Sequence, residues 1–196
     1  MFHDIPREIE ERMHYLEARS KKEKAEGKPM LERLRQVPPD TGRFLALLAA
    51  SSPEGTWLEI GTSGGYSALW LALACRHVGR KLVTFEVLEP KIKLAKETLK
   101  AAGVEDVVEL VQGDAREQLT GYRNVSFCFL DAEKDQYLDC YEKVIPNMVP
   151  GGLLVADNVT SHQEQLREMV ERVLSDDRVD ALVVPIESGE LVCRKL

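Results

Sequence analysis

From residue 56 onward the sequence alternates short strand-like runs with longer helix-like ones, and this alternation constrains the fold more than any other feature. The strand-like runs are "TWLEIG" (56–61), "KLVTFEV" (81–87), "VVELVQG" (107–113), "VSFCFLD" (125–131), "GLLVADN" (152–158) and "VDALVVP" (179–185). Helix-like runs fill the gaps: Gly65 to His77, Pro90 to Ala102, Glu133 to Met148 and Ser161 to Leu174. Pro90 suits a first helical position, and Gly103 suits the position just past a helix end. Repeated strand–helix alternation predicts an α/β fold: a mostly parallel sheet with helices on both faces. The last run, "ELVCRKL" (190–196), is different. Only the turn around "ESG" precedes it, which is too short for a crossover, so it must pair antiparallel as a hairpin.

Upstream, Ile9, Met13 and Leu16 recur at helical spacing among charges and predict an amphipathic helix over 6–19. "SKKEKAEGKP" reads as a polar loop or mobile linker with solvated lysines. Pro38 and Pro39 break the preceding segment, Asp40 or Thr41 can cap, and a helix continues from Phe44 to Ala50. The 196 residues suit one domain, 1–196, with 1–36 as an N-terminal helical extension and 37–196 as the core.

The formal net charge of -7 argues against general affinity for nucleic acid or an anionic membrane surface. No apolar run approaches the roughly 18 residues of a membrane span, and the charged N-terminus has no signal-like apolar core. A cytoplasmic location is expected. Cys75, Cys128, Cys140 and Cys193 form no CxxC pair and lie in apolar runs, so they read as reduced, structural thiols. The four histidines are scattered, without metal-ligand spacing.

In a sheet of this kind ligands bind outside the carboxyl ends of the strands. Asp131, Asp157 and Asn158 all end strand-like runs, so they face one crevice, and Lys134 follows Asp131 closely. "LEIGTSGGYSALWLA" (58–72) joins the first strand to its helix, and Gly61, Gly64 and Gly65 allow a ligand close to backbone N–H groups. The dinucleotide fingerprint fails at Ser63, and no GK[ST] follows to make a phosphate loop. Glu86 ends the second strand, where a carboxylate can accept hydrogen bonds from both hydroxyls of a ribose. "GDA" (113–115) ends the third, beside the place for a base. Together these features fit a nucleoside without phosphates, of which S-adenosylmethionine is the common one.

The chain resembles the class I, S-adenosylmethionine-dependent O-methyltransferases of the catechol and caffeoyl-CoA type. The resemblance rests on "PPDTGRFLALL", "LEIGTSGGYSALWLA", "TFEVLEP", "GDA", "FLDAEKDQY", "GGLLVADNV" and "PIESGELVCRK", from about residue 37 to the end. It implies a Rossmann-like, seven-stranded methyltransferase sheet whose last strand is antiparallel. It also implies that Glu59, Gly61 and Ser67 surround the methionine moiety, that Glu86 holds the ribose, and that Asp114 and Ala115 flank the adenine. By the same resemblance Asp131 faces the cofactor and coordinates a divalent cation with Asp157 and Asn158, and Lys134 is the general base. The acceptor-recognition segments, "ARSKKEKAEGKPMLERLRQ" and "VTSHQEQLRE", map onto no known substrate, and the roles of His162 and Glu190 stay open.

The chemistry explains why such residues serve. Methyl transfer to oxygen is an in-line displacement, and it needs an ionised nucleophile held in line. Two aspartates and one asparagine make a hard oxygen shell that suits Mg2+, with Mn2+ or Ca2+ also compatible. Two adjacent hydroxyls can chelate such a cation, so the expected acceptor is a small dihydroxy aromatic of catechol type. Taken singly, Asp131 is also a good helix cap, "DNV" a good turn and Lys134 an ordinary surface lysine. Two other readings compete. A nicotinamide-dependent oxidoreductase is opposed by Ser63 and the terminal hairpin. A non-catalytic S-adenosylmethionine-binding protein is opposed by the intact Asp131, Lys134, Asp157 and Asn158. The amphipathic N-terminal helix is compatible with a homodimer.

Overall fold

The computed structural model describes residues 1–196. Seven strands form one sheet: β1 (Thr56–Ile60), β2 (Leu82–Glu86), β3 (Val108–Gln112), β4 (Val125–Leu130), β5 (Met148–Ala156), β6 (Val179–Val184) and β7 (Glu190–Lys195). Their order is β3-β2-β1-β4-β5-β7-β6. The first five pair in parallel, while β7 runs antiparallel to both β5 and β6. The hairpin required by the short turn is therefore present, and it closes an otherwise parallel sheet.

Helices α1 (Arg7–Ala25), α2 (Pro39–Ser51), α3 (Tyr66–Val78), α4 (Glu89–Ala101), α5 (Ala115–Gln118), α6 (Tyr137–Val144) and α7 (Gln163–Leu174) cover the two faces. Alternate residues of each strand point to opposite faces. Trp57, Phe127, Phe129 and Val155 pack with α1, α2, α3 and α4. Leu58, Cys128, Leu130 and Leu154 pack with α6 and α7 on the other side. Every residue of β4 is buried, which is why it reads as one unbroken apolar run. Helix α3 is buried along Tyr66–Cys75, so its apolar residues surround it instead of forming a stripe.

Several boundaries differ from the sequence expectation. Helix α1 continues to Ala25, so the first half of the expected 20–29 linker is helical. Its last turns are held by Glu23, a buried carboxylate that takes Arg19 Nε at 2.9 Å and the Leu34 backbone N–H at 2.8 Å. Helix α2 starts at Pro39, and Asp40 and Thr41 lie within it; no side chain caps it, because the residue at the cap position is Pro38, which has no side-chain acceptor. The expected helix from Glu133 to Met148 is shorter: Tyr137–Val144 is α-helical, with 3₁₀ turns at Lys134–Gln136 and Ile145–Asn147. Pro146 sits in the second turn and removes a helical donor. Strand β5 begins at Met148, ahead of the expected 152, with a shift of register between Val125 and Phe127 that accommodates Pro150. All four cysteines are buried and unpaired. No helix is long and apolar enough to cross a membrane.

Candidate active site

The carboxyl ends of β1, β2, β4 and β5 are brought level by hydrogen bonds that run past the strands. Gly61 and Thr62 N–H donate to the Phe85 carbonyl at 3.1 and 3.0 Å, Asp131 N–H to Ile60 O at 2.9 Å, and Asp157 N–H to Leu130 O at 3.1 Å. Gly61 has φ 106°, and a Cβ there would lie 2.1 Å from the Asp131 carbonyl oxygen. Only glycine lets the β1–α3 turn pass this close to the end of β4.

A cleft of about 430 Å³ opens above these ends, and Gly61, Glu86, Asp114, Ala115, Asp131, Lys134, Asp157 and Asn158 all line it. Glu59 and Ser67 do not. Glu59 is fully buried beneath the floor, where Thr84 Oγ1 donates to its Oε2 at 2.5 Å and its Oε1 has no partner. Burial pushes its carboxyl up to about 7, against the opposing hydrogen bonds of Ser67 and Thr84.

Glu86 is organised by the backbone around it. Its Oε2 accepts the Ser63 N–H at 2.7 Å, and its Oε1 accepts the N–H groups of Val87 and Leu88 at 2.8 and 2.9 Å. Ser63 takes a left-handed conformation, φ 47°, to present that N–H. The serine that breaks the dinucleotide fingerprint thus makes the turn a glycine would make, and it adds a bond to Glu86. At the end of β3, Asp114 caps α5 through the Arg116 N–H at 2.9 Å. The Arg116 guanidinium closes on the same carboxylate and holds it below the usual range.

The other end of the cleft is crowded with charge. Lys134 Nζ donates to Asp131 Oδ1 at 3.2 Å, to the Ala132 carbonyl at 3.1 Å and to Tyr137 Oη at 2.7 Å. Tyr137 is itself buried and donates to the Asp157 carbonyl at 3.1 Å. Asn158 has φ 71°, its Nδ2 donates to Asp131 Oδ1 at 2.9 Å, and its own N–H donates to Asp157 Oδ1. Burial and the Asp131 charge push Asp157 up to about 6. Glu190, fully buried next to Asp157, is pushed up further by burial and by that neighbouring carboxylate. Neither Glu190 oxygen has a protein donor.

Two residues beyond the sequence-derived set belong to this environment. Glu190 was visible in sequence only as "SGEL", and its burial depends on β7 crossing beside β5. Tyr137 falls three residues after Lys134, and its hydroxyl joins Lys134 to β5. His162 lines the cleft as well, its Nδ1 2.9 Å from Ser161 Oγ.

The sequence model of the family described as O-methyltransferase matches residues 10–196. The chain is 25% identical over 182 residues to the caffeoyl-CoA O-methyltransferase of Medicago sativa, covering 80% of this chain and 73% of that protein. It is 38% identical over 120 residues to the catechol O-methyltransferase of Mycobacterium tuberculosis, covering 60% of this chain and 54% of that one. It superposes on the crystal structure of an O-methyltransferase from Bacillus cereus in complex with SAH with a TM-score of 0.75 at 27% identity, covering 92% and 90% of the two chains. The mostly parallel seven-stranded sheet, the matched family model and the solved O-methyltransferase that superposes on it lead to one assignment: the chain belongs to the O-methyltransferase family and is a class I, S-adenosylmethionine-dependent O-methyltransferase.

Proposed function

We propose that this enzyme transfers the methyl group of S-adenosylmethionine to one hydroxyl of a small vicinal dihydroxy aromatic, assisted by a divalent cation at Asp131, Asp157 and Asn158. The observation that carries this reading is the convergence of those three side chains and Lys134 in the cleft that also holds Glu86.

In this reading Glu86 takes the ribose: the Ser63, Val87 and Leu88 N–H groups fill three of its roughly four acceptor sites, and the one left on Oε2 faces the ribose hydroxyls. Asp114 and Ala115 flank the adenine. Gly61 admits the methionine portion against backbone, with Glu59 and Ser67 as its buried support and Asp131 facing the amino-acid end. The N-terminal extension 1–36 and the core 37–196 work as one domain, since α1 packs into the same core cluster as α3.

The donor set fits a hard cation. It offers two carboxylates and an amide oxygen and no thiolate or imidazole, which suits Mg2+ and also admits Mn2+ or Ca2+. In this reading the third protein donor is the Asn158 amide. That amide gives its nitrogen to Asp131, and turning it presents its oxygen. The raised Asp157 and the donor-less Glu190 carboxyl mark a place where added positive charge relieves crowding. When bound, the cation supplies charge that favours the ionised acceptor oxygen.

Lys134 Nζ, in its neutral amine form after losing one proton to solvent, receives the acceptor's proton and returns to the ammonium. The Ala132 carbonyl and Tyr137 Oη aim the amine at the cleft, so its position does not depend on the acceptor. The test is a screen of dihydroxy aromatics with methyl-labelled cofactor and Mg2+. Label transfer to members of this class supports the reading, and cofactor binding without transfer to any of them defeats the acceptor assignment.

A further inference from the structure

Residues 26–38 join α1 to α2 as a strap across the cleft, and Arg33, Leu34, Arg35, Gln36, Val37 and Pro38 all line it. The strap is fixed at its middle. Leu34 is buried and packs on the glycine loop, where a Cβ on Gly64 would come within 2.8 Å of Leu34 Cδ2. Its N–H donates to Glu23 Oε2 at 2.8 Å, and its carbonyl accepts Ser20 Oγ at 3.2 Å. Beside α4, Lys91 Nζ donates to the Arg33 carbonyl.

Across the cleft the strap has a different attachment. Arg35 pairs with Glu133, the residue between Ala132 and Lys134, with both side chains 40–45% exposed. The Arg35 guanidinium also lies in the field of Asp131 and Glu86. Leu34 cannot leave without opening the core, whereas the Arg35–Glu133 pair can break into water. The pair links the N-terminal extension to the turn that carries Asp131 and Lys134, and residues of both segments line the cleft.

We infer that Arg35 is a positioning residue: its ion pair with Glu133 holds the strap over the cleft and limits the escape of the bound cofactor. This rests on the S-adenosylmethionine assignment of the cleft. The pair is exposed, so its effect is modest. Breaking it raises the dissociation rate of S-adenosylhomocysteine by roughly two- to fivefold. Because the attraction is electrostatic and solvent-accessible, added salt speeds release from the wild type and leaves the broken-pair variants nearly unchanged.

The experiment measures displacement of labelled S-adenosylhomocysteine from the full chain by stopped flow, at low and high NaCl. The wild type is compared with Arg35→Ala, Glu133→Ala and the swapped double variant Arg35→Glu/Glu133→Arg. Faster release in both single variants, a proportionate rise in the KM for S-adenosylmethionine, and restoration in the swapped double support the inference. Arg35→Lys, which keeps the charge, falls between wild type and Arg35→Ala. A purely structural contact shifts the melting temperature without changing the salt dependence of release. Unchanged release in both single variants, or a double variant no slower than they are, overturns the inference. A wild type that does not bind S-adenosylhomocysteine overturns the cofactor assignment along with it.

Discussion

The side-chain amide of Asn158 donates to Asp131 Oδ1 at 2.9 Å although the two residues lie on different strand ends. They meet because β4 and β5 pair in parallel with Leu130 opposite Ala156, which leaves the next residues of both chains at one level. Asn158 holds φ 71°, a left-handed conformation that asparagine tolerates and branched residues do not. Its backbone and side-chain roles can therefore be separated. Asn158→Gly keeps the turn and removes the amide, so it should retain its melting temperature within a few degrees while losing most methyl transfer. Asn158→Val should also lose about 1–2 kcal/mol of stability. Thermal melts beside activity assays of the two variants check this.

Lys134→Ala should lower turnover by roughly a hundredfold to ten-thousandfold while changing cofactor affinity little, because the amine acts on the acceptor. Its rate should recover partly at high pH, where the acceptor ionises unaided. Single-turnover rates across pH, with calorimetry for cofactor binding, measure both quantities. Wild-type turnover in the variant would place Lys134 outside the chemistry.

Glu86→Ala should weaken S-adenosylmethionine binding by roughly tenfold to a hundredfold, the cost of charge-assisted hydrogen bonds to the ribose. Because Glu86 also takes backbone N–H groups from Ser63, Val87 and Leu88, a part of the loss should appear as a lower melting temperature. Glu86→Gln keeps one acceptor oxygen and replaces the other with an NH2 donor, and should lie between. Isothermal calorimetry on both variants distinguishes the ribose contact from the local turn.

Far from the cleft, Asp176 gives the enzyme an acid-sensitive element. It is buried, accepts hydrogen bonds from Arg178 and from Tyr141 Oη at 2.9 Å, and faces Arg172 Nη1 at 3.0 Å. The Arg178 hydrogen bonds, first among these causes, hold its carboxyl well below the usual carboxylate range. The unfolded chain therefore binds the proton at higher pH than the folded one, so this stabilisation is complete above about pH 4 and is lost as pH falls below it. Asp176→Asn should cost about 2–3 kcal/mol at pH 7. The difference from wild type should shrink on acidification below pH 4, as followed by urea unfolding at both pH values.

The sheet was legible because each strand is short, apolar and bounded by turn residues, and because the turn before Glu190 forces a hairpin. That the strand-end residues would line one cleft was legible for the same reason, since a parallel sheet collects its carboxyl ends on one side. What periodicity missed depends on long-range contacts. The last turns of α1 look like a solvated lysine tract, yet they are fixed by Glu23 meeting the Leu34 backbone. Arg35 and Glu133 carry no motif, and only the folded chain brings them together. The sequence left the role of Glu190 open, and its burial against Asp157 follows from the pairing of Ala156 with Leu191.

In the proposed reading Asp131, Asp157 and Asn158 would hold a divalent cation, which would favour ionisation of a dihydroxy acceptor. A dihydroxy aromatic and its mono-hydroxy analogue, each assayed for labelled methyl transfer with Mg2+ and with chelator, test it most directly. Transfer to the dihydroxy compound should be rapid, abolished by chelator and restored by Mg2+, and transfer to the mono-hydroxy analogue should be poor under every condition. Asp157→Ala should behave as the wild type does in chelator. Efficient, chelator-resistant methylation of the mono-hydroxy compound would contradict this reading.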